Sequence, residues 1–424
     1  MTTESTATDT RPFGIWMATA LVVGGMIGSG IFLLPTTLAP YGWTGVLAWC
    51  VSISGAMAIG YVIARMTQVM PEQTGVIAIT GAVLGVVPGV LVGWSYWVST
   101  WAAVAAIAIA ATSYLSALIP ALNATPMTGA LVSVGLIWLM SAINMAGAAM
   151  AGRFQIVSTF LKLIPLIAVG LITVALIVGG KTPTPPLPSA ETAIAGLGAA
   201  VALTLFPLLG FETAGVIAER VRDPARTVMR ATMIGTALTG LIYILVSSGI
   251  ALTLPLDELL ASPAPFALFV ETHLGTASGA AVAGLAALAA IGALNCWVLM
   301  QGETPLGMAR AGLLPGWFGK VSQRDVPVRS LILSSTLGSL LVLSNASKSL
   351  SGVFEFAALL TTCSALWLYF AVCAAALIRR QAMTASLFGL AFSLLVMWGA
   401  GWQASGLSLL LTLTGLPLYW LRGR

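Results

Sequence analysis

Residues 24–35 read GGMIGSGIFLLP, and residues 204–215 read TLFPLLGFETAG. Both stretches lie inside long apolar segments, where an uninterrupted helix would be expected. The first holds four glycines within seven residues, and each glycine costs a helix about 1 kcal/mol relative to alanine. The second holds Pro207, which removes a backbone donor, and then Gly210 and Glu212. Each stretch therefore predicts a helix that is interrupted midway along an apolar segment.

The composition places both interruptions in a membrane. Of the 424 residues, 58% are hydrophobic and only 7% are charged, whereas soluble domains carry about 25% charged residues. Such a chain cannot cover a soluble globule with polar surface. This excludes soluble enzymes, fibres and disordered chains, and it predicts an all-α membrane protein with many spans.

Twelve apolar runs approach or exceed the ~20 residues that a helix needs to cross the hydrocarbon core. They cover about 13–39, 43–69, 86–118, 128–148, 154–179, 193–218, 230–254, 277–302, 329–345, 352–378, 383–401 and 403–421. With the N-terminus inside, fifteen Lys and Arg residues fall on the cytoplasmic side, and only Lys181 and Lys348 fall outside. This asymmetry follows the positive-inside rule. We therefore expect a multi-pass protein of the bacterial inner membrane with both termini in the cytoplasm.

The two interrupted spans hold corresponding positions in two halves of the chain. The Pro-rich segment KTPTPPLPS, residues 181–189, separates spans 1–5 from spans 6–10, and spans 1 and 6 are the interrupted ones. Because five is odd, the second half must have inverted topology, which together with paired interruptions indicates an inverted-repeat secondary transporter. For span 1 alone, a GxxxG packing face is the alternative. The predicted organisation is a cytoplasmic tail (1–12), two repeats (13–180 and 193–378) and spans 11 and 12 (383–424).

An interrupted helix at membrane depth offers unpaired N–H groups to a carboxylate and unpaired C=O groups to an ammonium. An α-amino acid zwitterion carries both charges at a suitable separation. The expected carboxylate ligands are the amides of Gly28, Ser29 and Gly30, and the expected amine ligands are the carbonyls near Ile27 and those of Phe206, Pro207 and Leu208.

Two charged residues lie deep in the predicted spans. Lys162 is about eight residues from the inner end of span 5, so snorkelling to the interface requires a reach of about 12 Å. The alternative is an ammonium held by carbonyls at the span 1 interruption. Glu212 either pairs with Lys162 or caps the second half of span 6, or else it accepts a proton or gates the site. Phe206, Tyr96 and Trp297 are candidate gate aromatics, with plain packing as the alternative.

The inner loop after span 8, residues 303–328, holds an amphipathic stretch, ETPLGMARAGLLPGWFGKV. This pattern predicts a short interfacial or re-entrant helix that is separate from span 8.

Three motifs resemble those of a known family. GSGIFLLP (28–35), GFETAGVIAERVRDPAR (210–226) and ARAGLLP (309–315) are similar to the span 1, span 6 and span 8–9 motifs of amino acid–polyamine–organocation (APC) superfamily transporters. The resemblance is greatest to bacterial arginine/agmatine antiporters and light-chain-like amino acid exchangers. It implies a LeuT-type 5+5 inverted repeat with discontinuous helices 1 and 6, and alternating access to a midplane site.

The resemblance also implies residue roles. Gly28, Ser29 and Gly30 would hold the carboxylate, and Ile27 would hold the amine. Phe206 would cover the substrate, and Trp297 and Tyr96 would be gate aromatics. Glu212 matches the family's acid after the span 6 interruption, and Lys162 would take the place of sodium. Val104 and Ile107 fall where the antiporters contact a guanidinium. Because both are apolar, we expect a neutral or apolar amino acid as the substrate. Because Lys162 would occupy the place of sodium, we expect sodium-independent transport, by exchange or proton coupling.

The alternative substrates are cationic amino acids or polyamines, with export or antiport as the direction, and a remote alternative is an intramembrane enzyme. No cofactor, metal or nucleic acid is expected. The expected partners are a small amino acid or amine, protons and the lipid bilayer, and a homodimer is left open.

Overall fold

The computed structural model describes residues 14–28, 30–73, 75–146, 161–180, 186–212 and 224–421. Within these residues all regular secondary structure is helical, with seventeen α-helices and three short 3-10 helices. The α-helices are α1 (Ile15–Met26), α2 (Gly30–Leu38), α3 (Trp43–Val69), α4 (Val76–Leu84), α5 (Val86–Leu118), α6 (Pro126–Met145), α7 (Leu163–Val178), α8 (Ala190–Leu205), α9 (Pro224–Thr253), α10 (Leu256–Ala261), α11 (Pro265–Leu274), α12 (Thr276–Arg310), α13 (Val328–Ser344), α14 (Leu350–Ile378), α15 (Met383–Gly399), α16 (Gly401–Leu413) and α17 (Leu416–Leu421).

Many of these helices are long and apolar enough to cross a membrane. Among the described residues eight helical segments meet that requirement singly, and α1 and α2 form a ninth span that is bent by 52°. Three shorter apolar helices, α7, α13 and α15, lie within predicted spans 5, 9 and 11. Each predicted span therefore contains a helix, and the all-α, multi-span architecture is confirmed.

Helix α5 lies at the centre of the bundle. It is buried along nearly its whole length, with α12 and α14 packed against it. Its middle, residues 101–111, reads WAAVAAIAIAA, and small side chains let neighbouring helix backbones approach closely in a membrane protein. Helices α15 and α16 lie at the periphery and leave large apolar side chains such as Trp398 and Trp402 exposed. The interrupted segments pack on the inner part of this bundle.

The prediction of a separate helix in the inner loop, residues 303–328, is wrong. Helix α12 instead continues through Pro305 to Arg310 and is followed by turns. Proline cannot donate to the carbonyl four residues earlier, which here belongs to Gln301. That carbonyl accepts hydrogen bonds from Trp97 Nε1 (3.0 Å) and Ser334 Oγ (3.1 Å) instead. Side chains from two neighbouring helices thus replace the missing donor, and the helix does not end.

Candidate functional site

The first interruption, residues 27–29, separates α1 from α2. Ile27 has an extended ψ of 94°, and its N–H still bonds the carbonyl of Val23 at 2.9 Å. Ser29 lies outside the described residues. If a Cβ were added to Gly28, the nearest side-chain atom would be the Cβ of Ala293, at 3.7 Å. The predicted break in span 1 is therefore present, at the predicted glycines.

The second interruption, residues 206–212, follows α8. A 3-10 turn over Phe206–Leu208 leads into extended Leu209 and then Gly210, whose φ of +107° favours glycine. The carbonyl of Phe206, a predicted ligand of the substrate amine, accepts the N–H of Leu209 at 3.1 Å. A carbonyl oxygen has a second lone pair with which it can accept another donor. Residues 213–223, which would continue span 6, lie outside the described residues.

The two interruptions touch each other. A Cβ added to Gly210 would lie 2.9 Å from the carbonyl oxygen of Gly25. A Cβ added to Gly30 would lie 3.0 Å from the Phe206 ring and 3.1 Å from Pro207 Cβ. Glycines on both segments therefore allow a close approach that larger residues would prevent. This contact brings together sites that are about 180 residues apart in the sequence.

Lys162 points into the first interruption. It is 4% exposed, and its ammonium donates a hydrogen bond to the carbonyl of Gly24. In a continuous helix that carbonyl would accept the N–H of Gly28, but the helix ends at Met26. The lysine charge therefore satisfies a carbonyl that the interruption leaves without its helical donor.

Glu212 is held in a separate buried cluster. Its Oε1 accepts the hydroxyl of Tyr96 at 2.9 Å, and its Oε2 accepts the N–H of Gly210 at 3.1 Å. Tyr369 of α14 is fully buried and faces the same carboxylate, although its hydroxyl completes no hydrogen bond with a described residue. Within the described part of the chain the one ion pair is Arg310–Asp325, so Glu212 and Lys162 do not pair directly.

The remaining predicted site residues differ in how close they lie to the interruptions. Phe206 is 5% exposed, lies over Gly30, and meets the Phe354 ring edge-on with centroids 5.8 Å apart. Leu208, in the 3-10 turn, is fully buried. Trp297 is half-buried on α12 and packs against the apolar core.

Val104 and Ile107 are buried on α5. A Val104 methyl lies 3.9 Å from the Cβ position of Gly338 on α13, so its described contact is with that helix.

Two residues beside span 1 carry no signal in the sequence. The hydroxyl of Tyr243 on α9 donates to the carbonyl of Met26 at 2.9 Å. The hydroxyl of Tyr114 on α5 donates to the carbonyl of Phe32 at 2.7 Å. A tyrosine within an apolar run is typical of packing or of the membrane interface, and nothing in its neighbours marks a partner far along the chain. In the described part of the chain no cluster of His, Cys, Asp and Glu could hold a metal ion.

Comparison with known proteins gives a consistent result. Residues 13–416 match the amino acid permease family. The chain is 32% identical to a cadaverine/lysine antiporter of Escherichia coli K12 over 352 residues, which cover 81% of this chain and 77% of the relative. It is 27% identical to the putrescine transporter PotE of Haemophilus influenzae over 417 residues, or 96% of each chain. It is 31% identical to a putative arginine/ornithine antiporter of Bacillus subtilis, covering 81% of this chain and 79% of the relative.

The family match, residues 13–416, spans both interruptions and most of the helices described above. They identify a membrane transport protein rather than an enzyme, in agreement with the APC resemblance of the three sequence motifs. The chain belongs to the amino acid permease family of the APC superfamily.

Proposed function

We propose that the chain is a secondary antiporter that exchanges a cationic amino acid for a diamine or a second cationic amino acid. The observation that carries this proposal is the contact between two interrupted helices beside a buried carboxylate, Glu212. Relatives that bear the names cadaverine/lysine antiporter, putrescine transporter and arginine/ornithine antiporter support the cationic alternative over the neutral substrate that the apolar Val104 and Ile107 suggested. Apolar walls also suit the methylene stem of a lysine-like substrate.

The α-amino and α-carboxyl groups are proposed to bind at the first interruption. The amides of Gly28, Ser29 and Gly30 precede or begin α2, where helix N–H groups have no intrahelical partner and favour an anion. The carbonyl of Ile27 and the carbonyls of the Phe206–Leu208 turn would accept the ammonium. Phe206, which already covers Gly30, would close over the bound molecule.

Glu212 is proposed to supply the charge that a cationic side chain needs. A carboxylate has about four acceptor sites, and the described contacts with Tyr96 and Gly210 occupy two of them. A distal ammonium or a proton could use the rest. Because a lone carboxylate is expensive to bury, binding a cation or a proton is favourable at this position, and either would couple Glu212 to the transport cycle.

Lys162 is proposed to replace a coupling cation. Its ammonium already occupies the Gly24 carbonyl, which is the kind of ligand that a sodium ion at a helix interruption would use. We therefore propose transport without sodium. The wider arrangement would be twelve spans in a LeuT-type 5+5 repeat, 13–180 and 193–378 followed by 383–424, with both termini in the cytoplasm of a bacterial cell.

Exchange in proteoliposomes tests the proposal. Vesicles containing the purified chain are loaded with lysine, ornithine, cadaverine, putrescine or leucine, and uptake of labelled lysine or ornithine is measured with and without sodium. We expect several-fold faster uptake into vesicles loaded with a cationic compound than into empty or leucine-loaded vesicles, and no effect of sodium. Exchange confined to leucine and other neutral amino acids would favour the neutral substrate expected from the sequence and refute the cationic one. The absence of exchange for every compound would refute the proposal as a whole.

A further inference from the structure

A groove runs between α14 and α16 at the periphery of the bundle. Cys363 Sγ on α14 lies 3.4 Å from Ser405 Oγ on α16. About one turn further along both helices, Trp367 Nε1 donates to Ser408 Oγ at 3.2 Å. The two helices therefore run side by side in the same direction. Near the starts of both they border a cavity of about 620 Å³, and none of its lining residues belongs to the two interruptions.

The polar groups of this groove lie at one end. Lys348 precedes the first residue of α14, and Trp402 and Gln403 lie in the first turn of α16. Leucines line the rest of α16 down to Leu410. From Trp402 to Leu410 is about 12 Å of helix, and the hydrocarbon of one leaflet is about 15 Å deep. The groove therefore has the polarity and length of a lipid in one leaflet, with its polar end at the membrane surface, where tryptophan is common.

Lys348 brings a positive charge to the polar end. Its side chain is exposed, and its ammonium lies over the Phe356 ring, 5.1 Å from the centroid. In the described part of the chain the one ion pair is Arg310–Asp325, so no described carboxylate lies within salt-bridge distance of Lys348. Glu355 interacts with it only at longer range. The ammonium, which has three N–H donors, is therefore placed to bind an anion at the mouth of the groove.

Gly406 keeps the middle of the groove open. A Cβ added to it would meet no described atom within 4 Å. The Trp402 and Leu410 side chains on the same helix are 83% and 63% exposed, so they leave apolar surface to be covered. A larger side chain at position 406 would occupy the groove itself.

We propose that this groove binds an anionic phospholipid, with the headgroup phosphate on Lys348 and an acyl chain along α16 past Gly406. The charge attracts the phosphate at the membrane surface, and the open apolar wall accepts the chain. The described lining of the groove holds no acid. A second copy of the chain that met this face by two-fold symmetry would bring another lysine and no counter-charge, so charge favours the lipid as the occupant.

Two variants test the two parts of the site. Lys348→Gln removes the charge and keeps most of the stem. Gly406→Leu fills the groove from a Cβ position that meets no described neighbour, and leucine is a better helix former than glycine. The matched controls are Lys320→Gln, at an exposed lysine in the loop between α12 and α13, and Gly135→Leu on α6, where an added Cβ also meets no described atom within 4 Å.

Native mass spectrometry counts the lipids bound to the purified full chain. The chain is delipidated in detergent and titrated with phosphatidylglycerol or with phosphatidylethanolamine of the same acyl chains. We expect the wild type and both controls to bind phosphatidylglycerol about fivefold more tightly than phosphatidylethanolamine, the effect of one lysine at the membrane surface. Lys348→Gln should lose this preference, and Gly406→Leu should bind both lipids at least about fivefold more weakly.

Each part of the proposal has a result that overturns it. Equal wild-type affinity for the two lipids overturns the role of the charge. Wild-type lipid binding by Gly406→Leu, or an equal loss in Gly135→Leu, overturns the groove as the site. A lipid-free wild-type dimer that Gly406→Leu converts to a monomer assigns the groove to a second copy of the chain. A wild type that binds neither lipid refutes the proposal as a whole.

Discussion

The substitution Gly210→Ala tests whether contact between the two interruptions holds the site together. At a φ of +107° an L-residue is strained by about 1–3 kcal/mol. The added Cβ would also lie 2.9 Å from the oxygen and 3.1 Å from the carbonyl carbon of Gly25. Both are backbone atoms, which cannot rotate away, and overpacking of this kind costs about 1–3 kcal/mol. The combined penalty is about 2–6 kcal/mol, and its steric part is relieved by moving the interruptions apart.

A displacement at this contact moves the substrate-binding backbone groups. Because a 1 Å misplacement of binding groups can cost a factor of about 100 in rate, we expect the exchange rate of Gly210→Ala to fall by about that factor. The apparent melting temperature in detergent should fall as well. Both are measured on purified protein, by labelled-substrate exchange in proteoliposomes and by fluorescence-detected thermal unfolding.

The control for this prediction is Gly284→Ala on α12. Among the described residues a Cβ at Gly284 would meet only Leu118 Cδ1, at 3.8 Å, so the substitution should be neutral or stabilise the helix by up to about 1 kcal/mol. If Gly210→Ala melts and exchanges like the wild type and like this control, the reasoning from close contact is refuted.

Three further substitutions probe single side chains. Lys162→Met keeps the linear stem but leaves the Gly24 carbonyl without its donor, at a cost of about 1–3 kcal/mol; exchange should fall at least about tenfold, and a wild-type rate would contradict the role of the ammonium. Glu212→Gln can still accept the Tyr96 hydroxyl but removes the negative charge, so exchange of lysine and ornithine should fall at least about tenfold, the loss of one charged hydrogen bond; a wild-type exchange rate would leave Glu212 a structural group. Phe206→Leu loses the edge-on contact with Phe354, worth about 0.5–1.5 kcal/mol, so the substrate Kd should rise about two- to tenfold; an unchanged Kd would argue against a lid.

Charge scarcity and backbone chemistry made the two interruptions and the two buried charged residues predictable from the sequence. In a chain with 7% charged residues, Lys162 and Glu212 stand out at membrane depth because burying a charge is costly. Glycine and proline at 24–35 and 204–215 mark the interruptions for an equally local reason, since they lower helix stability where they stand. None of these inferences required knowledge of distant contacts.

The parts that escaped prediction depend on partners far along the chain. Tyr243 and Tyr369 look like packing residues until α9 and α14 place their hydroxyls beside Met26 and Glu212. The sequence analysis ended span 8 at about residue 302, but the helix continues through Pro305 because Trp97, about 200 residues earlier in the sequence, donates to the carbonyl of Gln301. Side-chain hydrogen bonds between distant helices leave no periodic pattern, so the sequence cannot reveal them.

The most direct test of the central claim is an experimental structure of the chain with bound lysine or ornithine. The proposal predicts the ligand carboxylate within hydrogen-bond distance of the Gly28 and Gly30 amides, its α-amine on the Ile27 carbonyl, and Phe206 over its side chain. A ligand bound instead in the cavity beside Tyr41 and Trp43, with the two interruptions unoccupied, would contradict the claim that the paired interruptions form the substrate site.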